Sequence, residues 1–277
     1  MSVFEKYDET SRHYDKTRVA IGGEILLGCL ARHAKPLHEL RVLDAGCGTG
    51  AYSQAIIGRV GHIEALDMSA GMLERARAKL APEAEAGRIR FHQGSILELP
   101  LETGSVDAIT INQVVQHLGD TAENGFPRLR DVVAEFARVL RPGGVLSFNH
   151  CSQTQLRDAY WYYYLCPEGH AAVRRRFAPL DVLREIFEDA GFDNQGCFVP
   201  VDGVCQGAAY FDGRGPLEKA WRDGDSFWAQ VEPAEVDAAL ARVRDLDAEG
   251  ALDAFVAEHD ARRREIGQIT FLTATLN

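Results

Sequence analysis

Apolar residues along this chain gather into short runs separated by turn-forming residues. Leu40 to Leu43, His62 to Leu66, Ile89 to Ile96, Ser105 to Asn112 and Val145 to Asn149 are five such runs. Their lengths suit buried strands rather than helices. Between them, apolar positions recur three and four residues apart, which places one apolar stripe on a helix. This pattern predicts helices from about Tyr52, from after Asp67 through Leu80, and over Asp131–Leu140. Leu99-Pro100-Leu101 reads as a turn, and Arg141 to Gly144 as a sharp turn into the fifth strand. Strand and helix alternate, so the class is α/β.

Past residue 150 the pattern changes. Tyr160, Trp161, Tyr162, Tyr163 and Tyr164 form an unbroken aromatic run, read as part of a helix on which some rings must be core. Leu180 to Ala190 is an amphipathic helix closed by Gly191, a residue suited to ending helices. Phe192 to Val199 and Gln268 to Leu276 read as the sixth and seventh strands. Two helical patterns, Pro233 to Leu246 and Leu252 to Arg264, lie between them, after a stretch at 203–227 rich in glycine and aromatics.

The first strand runs into Val42-Leu-Asp-Ala-Gly-Cys-Gly-Thr-Gly50, and the second ends in Asp67. Gly46, Gly48 and Gly50 permit positive φ and leave no Cβ to obstruct a ligand near the backbone. The helix beyond offers unpaired N–H groups. A carboxylate such as Asp67, at the end of the second strand, is placed to grip the two hydroxyls of a ribose. The glycines are spaced G-x-G-x-G, one residue short of the dinucleotide pattern G-x-G-x-x-G.

Asp44-x-Gly-x-Gly-x-Gly resembles the first motif of the class I S-adenosylmethionine-dependent methyltransferases. Gln116-His117-Leu118 resembles a segment of that family's ubiquinone-biosynthesis-like, small-molecule branch, and Leu140-Arg-Pro-Gly-Gly144 is a frequent family mark. The likeness spans roughly residues 7–200 and a final strand. It implies a doubly wound, mostly parallel seven-stranded sheet with an antiparallel last strand, and S-adenosyl-L-methionine as cofactor. It further implies that Asp44 lies near the methionyl amino group, with Cys47 a small filler in the loop, and that Met68 lies against the adenine. Ser95, followed by Ile96, stands where the family usually has an acid near the adenine amino group; Asn112 ends the fourth strand beside the loop. Tyr14-Asp-Lys-Thr-Arg18 matches a lead-in whose tyrosine and arginine fold across the cofactor. Arg18 would pair with its carboxylate and Tyr14 would cover the sulfonium.

The expected organisation is a helical closing segment at residues 1–35, a core formed by 36–199 and 267–277, and a cap at 200–266. The cap's position between strands six and seven suggests a substrate cover. Should the acceptor lose a proton, His150, His117 or Tyr14 could take it; the bland reading is that His117 caps or packs the next helix. The acceptor itself is not legible.

Charge narrows the partners. The net charge is −11 and the pI about 5.3, which disfavours a nucleic-acid backbone. The motif by which similar enzymes methylate exocyclic base amines, Asn/Asp-Pro-Pro-aromatic, is absent after the fourth strand. No apolar run is long enough to span a bilayer, and the first residues lack an apolar signal core. Six scattered cysteines suit a reducing cytoplasm. A small-molecule acceptor, no nucleic acid, no membrane, no bound metal and a monomer or homodimer are expected. Two alternatives remain: a metalloid methyltransferase using thiolates from Cys151, Cys166, Cys197 and Cys205, and a non-catalytic module that only binds the cofactor.

Overall fold

The computed structural model describes residues 19–277, so Tyr14 and Arg18 lie outside the described residues. Seven strands form one sheet: β1 (Arg41–Ala45), β2 (His62–Asp67), β3 (Ile89–Gln93), β4 (Val106–Asn112), β5 (Leu140–His150), β6 (Phe192–Phe198) and β7 (Thr270–Leu276). Their order is β3-β2-β1-β4-β5-β7-β6. β7 is antiparallel to both β5 and β6, and every other pair is parallel. The order reverses between β1 and β4, the point at which open α/β sheets form a ligand crevice at the strands' carboxyl ends.

Strand side chains alternate between two buried layers. Val42, Ala108 and Val145 face one core, with α1 (Gly23–Leu30) packed over them through Leu26, Cys29 and Leu30. Leu43, Ile109, Leu146 and Phe148 face the other, against α4 (Pro127–Val139) and α7 (Leu180–Asp189). Between α1 and α4 lie α2 (Ala51–Ile56) and α3 (Ala70–Lys79). The Ser69 hydroxyl caps α3 by accepting from Met72 N. α5 (Gln153–Asp158) starts in a capping box between Ser152 and Gln155, and α6 (Pro167–Arg176) follows it. Asp107 closes the sheet's other end. Burial raises its pKa, but the Arg41 N–H, Lys35 and Arg141 outweigh burial and hold the carboxyl below its ordinary range.

Three local expectations change. The Leu140–Gly144 segment belongs to β5 rather than preceding it: Leu140 pairs with Val106 and Val145 with Ala108, so the intervening residues bulge out, with Gly143 at φ +76. The aromatic run is a 3₁₀ turn at Trp161–Leu165. Cys166 precedes Pro167, which disfavours α geometry at Cys166 and starts a new helix. The last helical pattern breaks into α9 (Leu252–Asp260) and a short turn at Arg263–Ile266. At the break, Asp260 and Arg263 turn inward, paired to each other and to the Tyr210 hydroxyl.

The 200–266 segment is mostly 3₁₀ turns followed by α8 (Pro233–Ala248) and α9. Trp161, Tyr162, Tyr210, Trp221, Phe227 and Trp228 interlock edge to face and pack this segment into the same core as the sheet. Among the described residues, no helix is long and apolar enough to cross a membrane.

Candidate active site

The glycine loop lies at the carboxyl end of β1. Gly46 and Cys47 N–H groups both donate to the Leu66 carbonyl, at 2.8 and 2.9 Å, and clamp the loop to β2. Gly48 N–H donates to Asp67 Oδ2 at 2.8 Å. Gly46, Gly48 and Gly50 have φ of +76, +54 and +79. A Cβ on Gly46 would stand 2.5 Å from Val114 Cγ2, so this glycine is demanded by packing. A Cβ on Gly48 would meet nothing within 4 Å, so this glycine keeps space open above the loop. Cys47 is buried beneath it.

The two acids differ. Asp67 Oδ1 accepts from Ser69 N–H at 2.9 Å, and each carboxylate oxygen keeps a lone pair. Burial raises the Asp67 pKa, against the backbone N–H groups of Ser69, Gly48 and Met68. Asp44 is fully buried. Ser53 Oγ donates to its Oδ2 at 2.6 Å, while Oδ1 has no hydrogen-bond partner among the described residues. Burial, with Asp67 nearby, pushes the Asp44 carboxyl up to about 6 despite the Ser53 bond. An orphaned buried carboxylate oxygen fits a cationic group of a ligand, and the open space above Gly48 beside the Asp67 lone pairs fits a ribose. Met68 is 48% exposed, an unusual position for a large apolar side chain next to this crevice. Ser95 Oγ accepts from Leu97 N–H at 3.1 Å, so the hydroxyl still has its proton to donate; Ile96 is buried beside it.

A chain of amides leads away from the loop. Asn112 Oδ1 accepts from Asn149 Nδ2 at 3.3 Å, which also donates to the Tyr52 hydroxyl at 3.0 Å. Gln113 Nε2 donates to Asn149 Oδ1 at 2.9 Å. Gln113 has φ +55, sparsely populated for a non-glycine residue and concentrated at functional sites.

Gln113 also lines a small cavity of about 30 Å³ outside the carboxyl ends of β4 and β5. Its walls come from Gln116, Cys151, Tyr160 and Tyr163 on the core side, and from Asp225 and Phe227 in the 200–266 segment. The rings of Tyr160, Tyr163 and Phe227 form a stacked column, with centroids 4.7 and 4.1 Å apart. The Asp225 carboxylate accepts from the Tyr162 hydroxyl and the Phe227 N–H. Gln113, Gln116, Asn149 and Tyr52 escaped the sequence reading. Gln113 and Gln116 lie just past the end of β4, where ligands collect in open α/β sheets, and that position was the available signal. Asp225 carries no local signal at all.

The two histidines part company. His117 follows Gln116 in a 3₁₀ turn after β4, its Nε2 3.2 Å from Gln116 Nε2. His150 is fully buried between Phe148 and Phe177, and its Nε2 donates to the Ala178 carbonyl at 3.0 Å. It shares a face of β5 with Phe148, opposite Asn149, and burial pushes its pKa down to about 4. Cys197 is exposed on β6 while Cys151, Cys166 and Cys205 are buried; no group of three His, Cys, Asp or Glu side chains among the described residues is arranged to hold a metal ion.

Residues 43–148 match the family model described as a methyltransferase domain. The chain is 34% identical over 158 residues to the malonyl-[acyl-carrier protein] O-methyltransferase of Erwinia pyrifoliae, an alignment spanning 56% of this chain and 53% of that protein. It is 31% identical over 214 residues to the demethylmenaquinone methyltransferase of Listeria welshimeri, covering 69% of this chain and 87% of that protein. Its fold matches the crystal structure of a putative methyltransferase from an antibiotic biosynthesis pathway of Anabaena variabilis, at a TM-score of 0.71 and 20% identity, covering 91% and 97% of the two chains.

Proposed function

Because this chain belongs to the class I S-adenosylmethionine-dependent methyltransferases, with S-adenosylmethionine as methyl donor, we propose that it methylates a small molecule bound outside the carboxyl ends of β4 and β5, where the small cavity marks the way in. One observation carries this reading. Gln113 in the cavity wall is followed by Val114, whose side chain packs against Gly46 of the glycine loop, and the 200–266 segment roofs the cavity, adding a cover to the minimal fold.

In this reading Asp67 grips the ribose hydroxyls, Asp44 faces the methionyl ammonium and Met68 lies under the adenine. Arg18 and Tyr14 retain the closing role the resemblance implies. When bound, the cofactor supplies an activated sulfonium methyl group for in-line displacement. The protein's part is to position the acceptor and exclude water. The stacked aromatic column serves the exclusion of water, since it walls the cavity and leaves little room for solvent. His117, next to Gln116 in the turn after β4, takes the proton when the acceptor is a hydroxyl; His150, enclosed and on the opposite face of β5, supports the fold. The protein acts in the cytoplasm as a monomer or homodimer, on neither nucleic acid nor membrane.

Radiolabelled S-adenosylmethionine, incubated with the protein and a filtered small-molecule extract, should label the small-molecule fraction. Retained cofactor binding with no transfer, or label confined to macromolecules, overturns the reading. Asp67→Ala should weaken S-adenosylhomocysteine binding by about 1.5–3 kcal/mol, the value of hydrogen bonds to a charged acceptor. Calorimetry on the folded variant reads this directly, and unchanged affinity removes the ribose assignment.

A further inference from the structure

We infer that Asn149 is a positioning residue: its amide holds Gln113 in a left-handed turn at the end of β4 and ties that turn to Tyr52, just past the glycine loop, so that the acceptor side of the crevice keeps a fixed place relative to the cofactor side. This rests on the acceptor binding outside the carboxyl ends of β4 and β5.

Every polar group of the Asn149 side chain is engaged. The residue is buried and pairs in register with Asn112 across β4 and β5. Its Nδ2 donates to the Tyr52 hydroxyl and to Asn112 Oδ1, and its Oδ1 accepts from Gln113 Nε2. The neighbours fix which way the amide points. Asn112 Nδ2 donates to Thr110 Oγ1 at 2.9 Å, which leaves Asn112 Oδ1 for Asn149, and the Tyr52 hydroxyl gives its proton to the Ile21 carbonyl at 3.1 Å. Turning the Asn149 amide over would set oxygen against oxygen at Asn112 and nitrogen against nitrogen at Gln113. Two donors and one acceptor on so short a stem are what asparagine supplies.

Gln113 needs that hold. Among the described residues, only Gln113 and Phe126 combine a side chain with positive φ. Such a residue persists only where its surroundings over-determine it. Gln113 N–H donates to the Asn149 carbonyl at 3.1 Å, its Nε2 donates to Asn149 Oδ1, and its own carbonyl accepts from Gln116 Nε2 at 2.8 Å. A glycine would make the turn without strain, as the chain does at Gly46, Gly48 and Gly50. The chain instead keeps a glutamine, tethered to Asn149, in the cavity wall. Without the Asn149 amide, Gln113 relaxes toward negative φ, and Gln116 shifts with the Gln113 carbonyl. Asn149 makes no hydrogen bond to the glycine loop or to Asp67 among the described residues, so cofactor binding survives its loss.

The test compares initial rates of label transfer from saturating S-adenosylmethionine to the small-molecule fraction of a filtered extract. The proteins are the wild type, Asn149→Leu, Gln113→Gly and the double variant. Asn149→Leu should transfer label about a hundredfold more slowly, the cost of misplacing a reacting group by about an ångström, while binding S-adenosylhomocysteine within about twofold of wild type by calorimetry. Glycine holds the turn unaided. Gln113→Gly should therefore retain measurable transfer, and adding Asn149→Leu to it should slow transfer by less than about threefold. A wild-type rate in Asn149→Leu, an equal loss in both backgrounds, no transfer by Gln113→Gly, or a matching loss of S-adenosylhomocysteine affinity overturns the inference and leaves the acceptor reading standing. No label transferred by the wild type overturns that reading together with the inference. Should Asn149→Leu not fold, Gln113→Ala decides, since it breaks the same tether but cannot hold the turn as glycine does. Transfer about tenfold or more slower than in Gln113→Gly supports the inference, and equal rates overturn it.

Discussion

Across acidification from pH 6.5 to pH 4 the contributions of His150 and Asp44 to the stability of the free protein are expected to offset one another, because the two buried groups titrate in opposite senses. His150 ordinarily takes a proton near 6.5 but in the fold does so only at about 4. The unfolded chain therefore binds that proton first. The stability from the neutral ring is full above 6.5 and is lost as pH falls toward 4, about 3 kcal/mol at roughly 1.4 kcal/mol per pH unit. Asp44 runs the other way, raised from 3.8 to about 6. Its contribution is full below 3.8 and is lost as pH rises through 6, again about 3 kcal/mol. Removing either group unmasks the other. On going from neutral pH to pH 4, Asp44→Asn should lose about 3 kcal/mol relative to wild type, and His150→Asn should gain about as much. Carboxylates held low by their partners, such as Glu64 and Asp107, weaken all three proteins together in acid. Urea unfolding at closely spaced pH values measures the differences, and parallel curves for the three proteins would refute the argument.

Gly46→Ala is expected to destabilise the fold by about 2–5 kcal/mol, combining roughly 1–2 for a left-handed non-glycine residue with 1–3 for overpacking. The second part arises because the added methyl would lie 2.5 Å from Val114 Cγ2. Gly48→Ala separates the two effects. Its φ is also positive, at +54, but its Cβ enters open space. That variant should lose only the conformational part, about 1–2 kcal/mol, and lose cofactor affinity more than Gly46→Ala does per unit of stability. Denaturant titration and calorimetry with S-adenosylhomocysteine give both quantities. Wild-type stability in Gly46→Ala, or wild-type affinity in Gly48→Ala, would contradict the roles assigned to these glycines.

The glycine loop was legible because its demands are local. A turn with positive φ favours glycine wherever it occurs, and an acid ending a strand projects from that strand's end whatever packs around it. Gly46, Gly48 and Asp67 could therefore be placed from spacing and neighbours alone. The 3₁₀ turn at Trp161–Leu165 was less legible. A run of aromatics has no period, and the fold buried four of the five rings while Tyr164, partly exposed, stacks on His259 of α9. His150 illustrates a second limit. Its place at the carboxyl end of a strand is where ligands bind, but the parity of β5 turns its ring to the face holding Phe148 and α7, and the residue next to it, Asn149, faces the amide network instead.

By itself, the sequence determined the alternation of strands and helices, the glycine turn and the class of cofactor chemistry, all of which follow from residues within a turn or two of each other. Only the tertiary structure decided which side chains meet across the cavity. Gln113 and Asp225 lie far apart in the chain and share a wall because the cap folds back over β4 and β5 through its buried aromatics. That Gln116 Oε1 is buried with no partner among the described residues is likewise a property of what surrounds it, since hydrogen-bond satisfaction depends on every neighbour a buried atom has and on none of them by sequence position.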